Sequence, residues 1–206
     1  MEDVRDLKEL QLDALREVAN IGAGHAATAL SQMTNRTIMI AVPEVNVRAL
    51  EDVTDLVGSP DTVIAAVMMH MMGDLTGRTL VLFPESSART LCDILLRRQG
   101  GTTGEFGAME QSGIKEAGNI LASAYLNALS DFMGMMLVPS VPSLVVDLSA
   151  AVLTTTYLNF GHDRDYVFCV ETEFNFLDSP VQIRGHFLLL PDLASLRAIF
   201  DAIRLT

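Results

Sequence analysis

The feature that most constrains this chain is a repeat: displaced by 99 residues, the sequence falls on itself at positions that carry chemistry. Glu17 lands on Glu116, Asn20 on Asn119, Ile21 on Ile120 and Pro43 on Pro142, and Ala29-Leu30-Ser31 lands on Ala128-Leu129-Ser130. Farther on, Leu82-Phe83-Pro84 pairs with Leu189-Leu190-Pro191 at an offset of 107, implying a few residues inserted in the second copy. Two copies are too few for a solenoid, so the repeat predicts a single pseudo-two-fold domain around a shared core. The halves divide at about 1–99 and 105–206, across the Gly/Thr linker Gln99-Gly100-Gly101-Thr102-Thr103-Gly104.

Both halves predict the order helix, strands, helix. Leu7, Leu10, Ala14, Val18 and Ile21 make one apolar face of a helix over 4–33, which Asn35 should stop. Gly22 and Gly24 inside it cost about 1 kcal/mol each against alanine, so they should serve close packing. Strands are expected at 37–42 and 45–50, parted by Pro43, and at 62–72 and 79–83, joined through Gly73-Asp74 and Gly77. Pro84-Glu85-Ser86 then opens a helix over 86–97. The second half gives a helix over 105–132, with Phe106, Met109, Ala117 and Ile120 on one face. Strands follow at 144–147, 151–159, 166–174 and 181–190, and Pro191-Asp192 opens a last helix to Ile203.

Composition removes several classes of function. With 50% apolar residues and 19% charged, the chain predicts a packed core. The 26 acidic residues against 14 basic ones leave a net charge of -12, which repels phosphate backbones and anionic lipid. Nucleic acid is therefore not expected as a partner, nor is membrane insertion; a partner with a basic face would be steered in. No apolar run reaches the roughly 20 residues of a membrane span and the start does not read as a signal peptide, so a cytoplasmic protein is expected. Cys92 and Cys169 have no ligand-type spacing, the four histidines are dispersed, and no intrinsic metal or cofactor is expected. Gly22-Ala23-Gly24-His25-Ala26-Ala27 matches a dinucleotide fingerprint in letters only, because it lies inside a helix and follows no strand.

What remains is the repeated polar set: Asp13, Glu17 and Asn20 in one copy, Ser112, Glu116 and Asn119 in the other. Offsets of four and three put each trio on one helical face, about 90° around from the apolar stripe. Asparagine is a poor mid-helix residue, since its amide competes for backbone hydrogen bonds. A solvated helix face would explain one copy. Its recurrence, each time with 22 residues between the asparagine and a proline, argues for a use.

The pattern D/S-x-x-x-E-x-x-N with that trailing proline resembles the signature of the CheC/CheX/FliY phosphatases of chemotaxis. Asp13-Glu17-Asn20-Pro43 and Ser112-Glu116-Asn119-Pro142 match it in full, and the strings NIGAGHAATALS and AGNILASAYLNALSDFMG are similar to that family's. Two complete motifs, and no room after Thr206 for an added flagellar-switch domain, resemble its duplicated single-domain type. The resemblance implies an α/β (α+β) fold, a pseudo-two-fold duplicated domain with two long motif-bearing helices packed on a mainly antiparallel strand core. It implies a hydrolase whose substrate is the phosphorylated aspartate of the response regulator CheY, called CheY-P.

An aspartyl phosphate is already an activated acyl phosphate, and the receiver domain brings its own Mg²⁺ and lysine. What remains is to place a water in line with phosphorus. The resemblance gives that task to Asn20 and Asn119, whose amides both donate and accept. It gives Glu17 and Glu116 the pairing with the receiver's lysine, and Asp13 and Ser112 substrate binding. Pro43 and Pro142 are expected to shape loops. A second partner, the receptor deamidase CheD, is implied for the segment Leu144–Thr154, where Asp147 is the acidic residue. The competing expectation is a non-catalytic adaptor that binds CheY-P or CheD without turnover; a third is an α/β core with unused helix faces.

Overall fold

In chain order the elements are α1 (Glu9–Thr34), β1 (Ile38–Ile40), β2 (Glu44–Ala49), β3 (Val63–Gly73), β4 (Gly77–Pro84), α2 (Glu85–Leu95), α3 (Ala108–Met133), β5 (Leu137–Pro139), β6 (Ser143–Leu148), α4 (Ser149–Phe160), β7 (Tyr166–Phe176), β8 (Gln182–Pro191) and α5 (Leu193–Arg204). They come from a computed structural model that describes residues 9–49, 52, 53, 55, 58–160, 166–176 and 182–204. The ends are chemically marked. Asn35 (φ 55°) stops α1 as expected, and Gly134 (φ 65°) stops α3 in the left-handed region that glycine occupies at least cost. Asp192 caps α5, its carboxylate accepting the Ser195 N–H at 2.8 Å. The expected helix residues 4–8, and the strand residues 50 and 181, lie outside the described residues.

The eight strands form one antiparallel sheet, which with five described helices makes the fold α+β. Its order is β1-β7-β8-β4-β3-β5, with β2 continuing β1 along β7 and β6 continuing β5 along β3. The hairpins β3–β4 and β7–β8 meet at the β4–β8 ladder in the middle. Each half's two short strands pair with the long strand of the other half. In β3, Ala65, Val67, Met69 and Met71 face the layer of α1, α2, α3 and α5, while Ile64, Ala66 and Met68 face α4 with Leu80, Leu82, Val152 and Leu153. Burial on both sides explains why β3 is a nearly continuous apolar run.

Registers relate the halves. Ile38 faces Phe176 where Leu137 faces Gly73, and Glu44 faces Glu171 where Ser143 faces Met68. Short strands are thus offset by 99 and long strands by 103. Met71 faces Gly77 where Phe174 faces Ile183, so β8 follows β4 at 106 rather than 107. Aligning Leu82-Phe83-Pro84 with Leu189-Leu190-Pro191 is one residue out of step inside the strand. Phe83 and Leu189 share the helix-covered face, and a one-residue slip would reverse every side chain.

Three expectations are corrected. Residues 151–159 are not a strand but part of α4: Val152, Leu153 and Thr156 are buried between exposed Ala151, Thr154 and Thr155, a helical spacing. The Thr156 hydroxyl donates to the Val152 carbonyl one turn back at 2.8 Å, a bond threonine makes readily in helices. The segment 99–104, between α2 and α3, is wound over the buried Asp93, whose carboxylate accepts the N–H groups of Gly101 (2.7 Å), Thr102 (3.3 Å) and Thr103 (2.9 Å) and both threonine hydroxyls. Ile21 and Met109 are 45% and 65% exposed, so they do not belong to the buried stripes. The core face of α1 is Leu15, Val18, Ala19, Ala23, Ala26 and Leu30, mostly small residues. Finally, only one of the two glycines serves packing. A Cβ on Gly22 would stand 2.7 Å from the Tyr125 ring of α3, whereas nothing lies within 4 Å of one on Gly24.

Candidate functional site

Helix α1 turns its small, apolar side to the core, and the spacing of four and three then fixes where its polar trio points. Asp13, Glu17 and Asn20 are exposed. Asp13 pairs with Arg16 at 2.6 Å across three residues, an exposed contact of little energy that holds the carboxylate at the edge of the trio. The side chains of Glu17 and Asn20 have no hydrogen-bond or ion-pair partner among the described residues.

The second trio repeats the layout with differences. Ser112 and Glu116 are exposed and Asn119 is half-buried, again without side-chain partners among the described residues. Gly118, next to Asn119, lies hard against the sheet: a Cβ there would meet Val67 Cβ at 2.7 Å. That closeness sets Asn119 lower than Asn20, whose neighbour Ala19 borders a cavity of about 40 Å³ with Val18, Val45 and Val170. Lys115 takes the place of Arg16, but Ser112 gives it no carboxylate to pair with.

Each trio is thus assembled on one helix. Asp147 is brought to neither helix. It sits on the edge strand β6 opposite Ile64, exposed, its Oδ1 accepting the Leu148 N–H at 2.7 Å. Pro43 is buried and Pro142 half-buried, each just before the edge strand of its half. The sequence reading passed over Val42 and Val141, which precede these prolines and are 82% and 88% exposed; the repeat offset that found the prolines reaches them too.

Among the described residues, four groups titrate away from their usual ranges, and all four belong to the scaffold. Burial pushes the Cys92 thiol up to about 11, with Glu110 and Asp93 adding to it. Burial likewise pushes Tyr125 up to about 12, against a 2.7 Å hydrogen bond to Thr172. Burial of Asp93 alone would raise its carboxyl, but hydrogen bonds from Thr103, Thr102 and Gly101 outweigh it and hold the group below the usual carboxylate range. Glu110 is lowered by its own backbone N–H and by Arg98.

The CheC-like family matches this chain twice, at residues 10–47 and 109–146, the second stretch 99 residues after the first. Over 96% of this chain and 95% of its own length, the CheY-P phosphatase CheC of Bacillus subtilis (strain 168) is 33% identical. The chain belongs to the CheC-like family. Another relative, the flagellar motor switch phosphatase FliY of the same organism, is 28% identical over 62% of this chain and 33% of its own. Among solved structures, Thermotoga maritima FliY superposes with a TM-score of 0.78 at 21% identity, covering 97% of this chain and 98% of that one. That likeness shows a shared CheC-like fold.

Proposed function

We propose that this CheC-like protein is a hydrolase that removes the phosphoryl group from CheY-P, at two equivalent sites contributed by the halves 1–99 and 105–206. The observation that carries this reading is the doubled Glu/Asn pair: both copies of the family match contain it, and all four side chains are without partners among the described residues. A carboxylate and an amide kept on an accessible helix face and unspent on the fold are available to a second protein. In the docked complex Asn20 or Asn119 accepts a hydrogen bond from a water and points its oxygen at phosphorus. The oxygen–phosphorus bond to water forms as the bond to the aspartate oxygen breaks, and the water's protons leave with inorganic phosphate. Glu17 or Glu116 pairs with the receiver's lysine and so fixes the helix over the phosphoryl pocket, with Asp13 and Ser112 at the margin. Mg²⁺ belongs to the receiver in this scheme, and the protein supplies positioning.

The relative's name, CheY-P phosphatase, supports the substrate. CheD is a further proposed partner, at Asp147 and the edge strand β6. No described helix is long and apolar enough to cross a membrane, and we place the activity in the cytoplasm, where a receiver of this kind works.

The test is the decay of phosphate-labelled CheY. Replacing both asparagines (N20A with N119A) should leave binding intact and return the decay to its intrinsic rate, while either single change keeps partial activity. E17K with E116K should weaken binding itself, setting cation against cation. A double asparagine variant that still works at the parent rate would refute the mechanism. A parent protein that binds without hastening decay would establish the adaptor instead.

A further inference from the structure

We infer that Val42 and Val141 are specificity-determining contacts for the phosphorylated receiver, one beside each Glu/Asn pair; the inference rests on the phosphatase reading and extends its binding surface. Single exposed valines are ordinary on protein surfaces. These two are not independent, since they stand 99 residues apart and are both more than four-fifths exposed. The residues three before them, Met39 and Val138, are also exposed, at 53% and 46%. Each half therefore offers water an apolar pair at the same place in its fold.

Each valine is also held still. The Ala41 N–H donates to the Glu173 carbonyl at 3.0 Å, and the equivalent Ser140 N–H donates to the His70 carbonyl at 2.8 Å. Ser140 is tied a second time, its Oγ accepting the His70 N–H at 2.9 Å. On the other side comes a proline, with its φ fixed and its ring partly or wholly buried. The exposed valine thus sits between a backbone clamp and a rigid ring. With the backbone held on both sides of the valine, docking has little chain freedom left to remove, which is what preorganised contacts require.

The position matches the site. The Ile38 N–H is bonded to Ser31 Oγ at 2.9 Å, level with the last turns of α1. From there the chain runs back along the helix, and Val45 borders the same cavity as Leu15, Val18 and Ala19. Four extended residues past Ile38 span about 13 Å, or about nine residues of helix, which sets Val42 level with about residue 22. Asn20 and the exposed Ile21 are on the adjacent turn. A protein brought to Asn20 is therefore level with both Ile21 and Val42. The contact is apolar and remote from the reacting bond, so it strengthens ground state and transition state alike, and its loss is read in KM rather than kcat.

The test uses the full chain with V42S and V141S together, and V42I with V141I as the apolar control. Binding is measured to CheY carrying Mg²⁺ and beryllofluoride, a stable phosphoryl mimic, and turnover is measured on CheY-P. The serine pair should bind about five- to tenfold more weakly and raise KM by the same factor, with kcat and thermal stability unchanged. The isoleucine pair should behave as the parent. Serine variants that bind as tightly as the parent overturn the inference, and so does a fall in kcat at constant KM. If the parent binds, the serine pair binds less, and neither hydrolyses, the phosphatase reading falls while the contact stands. If the parent does not bind, both fall.

Discussion

Replacing Gly118 by alanine adds one methyl group at the point where α3 lies closest to the sheet. That carbon would sit 2.7 Å from Val67 Cβ and Cγ2 and 2.8 Å from Cγ1, against an ordinary carbon contact of about 3.5–4.0 Å. Val67 cannot yield easily. It is fully buried on β3, between β4 and β6, and the atom struck is its Cβ, which no rotamer change moves. The helix must retreat by about 1 Å or the strand must bend. Overpacking of this kind costs about 3 kcal/mol, and alanine returns about 1 kcal/mol of helix propensity. The net loss of about 2 kcal/mol should lower Tm by about 4–8 °C in a domain of this size. Gly24→Ala is the matched control: nothing stands within 4 Å of its Cβ, so only the propensity gain remains and Tm should rise by about 2–4 °C. Thermal and urea unfolding followed by far-UV circular dichroism decide it. A G118A protein as stable as the parent, with an unchanged urea slope, would show that α3 is not seated as closely as described.

Asp93→Ala should cost about 3 kcal/mol in urea unfolding, because the buried Thr103 N–H and hydroxyl lose their acceptor. The folded pKa of Asp93 is lowered, so its stabilisation is full above the unfolded value of about 3.9 and is lost as pH falls through the folded value. The gap between parent and D93A should accordingly be constant from neutral pH to about 5 and close in stronger acid; a gap that widens in acid would contradict the assignment. Cys92, pushed up to about 11 by burial, should resist iodoacetamide at pH 8 in the folded protein and react once urea unfolds it, as mass spectrometry would show.

Legibility followed the kind of signal. The strands of the β3–β4 hairpin could be read because two-sided burial writes an apolar run and Gly73 and Gly77, both at positive φ, mark its turn. The positions of the motif trios could be read from a spacing of four and three alone. Helix α4 was misread because its threonines and valine favour strands by composition, and the face that decides, Val152, Leu153 and Thr156, buries only against a sheet the sequence does not display. The core face of α1 was misjudged for a related reason. Periodicity picks out a stripe of large residues, but a helix crossing close to another turns its alanines and Gly22 inward and leaves Ile21 in water. Strand β5 is three residues long, too short for periodicity; only the offset from β1 could have found it. The proper step between Phe83 and Leu189 needed the ladder, since runs of apolar letters do not say which face each residue takes.

The exchange of edge strands makes each half depend on the other for a complete sheet. Hairpin β3–β4 finds its outer neighbours in β5 and β6, and β7 finds its own in β1 and β2. A protease cut between Gln99 and Gly104 would accordingly release two fragments, neither with a finished sheet, and they should stay together as a heterodimer whose stability depends on concentration. The loop makes that association intramolecular, at an effective concentration in the millimolar range for a short tether. A lone half could close its sheet only by trading strands with a twin.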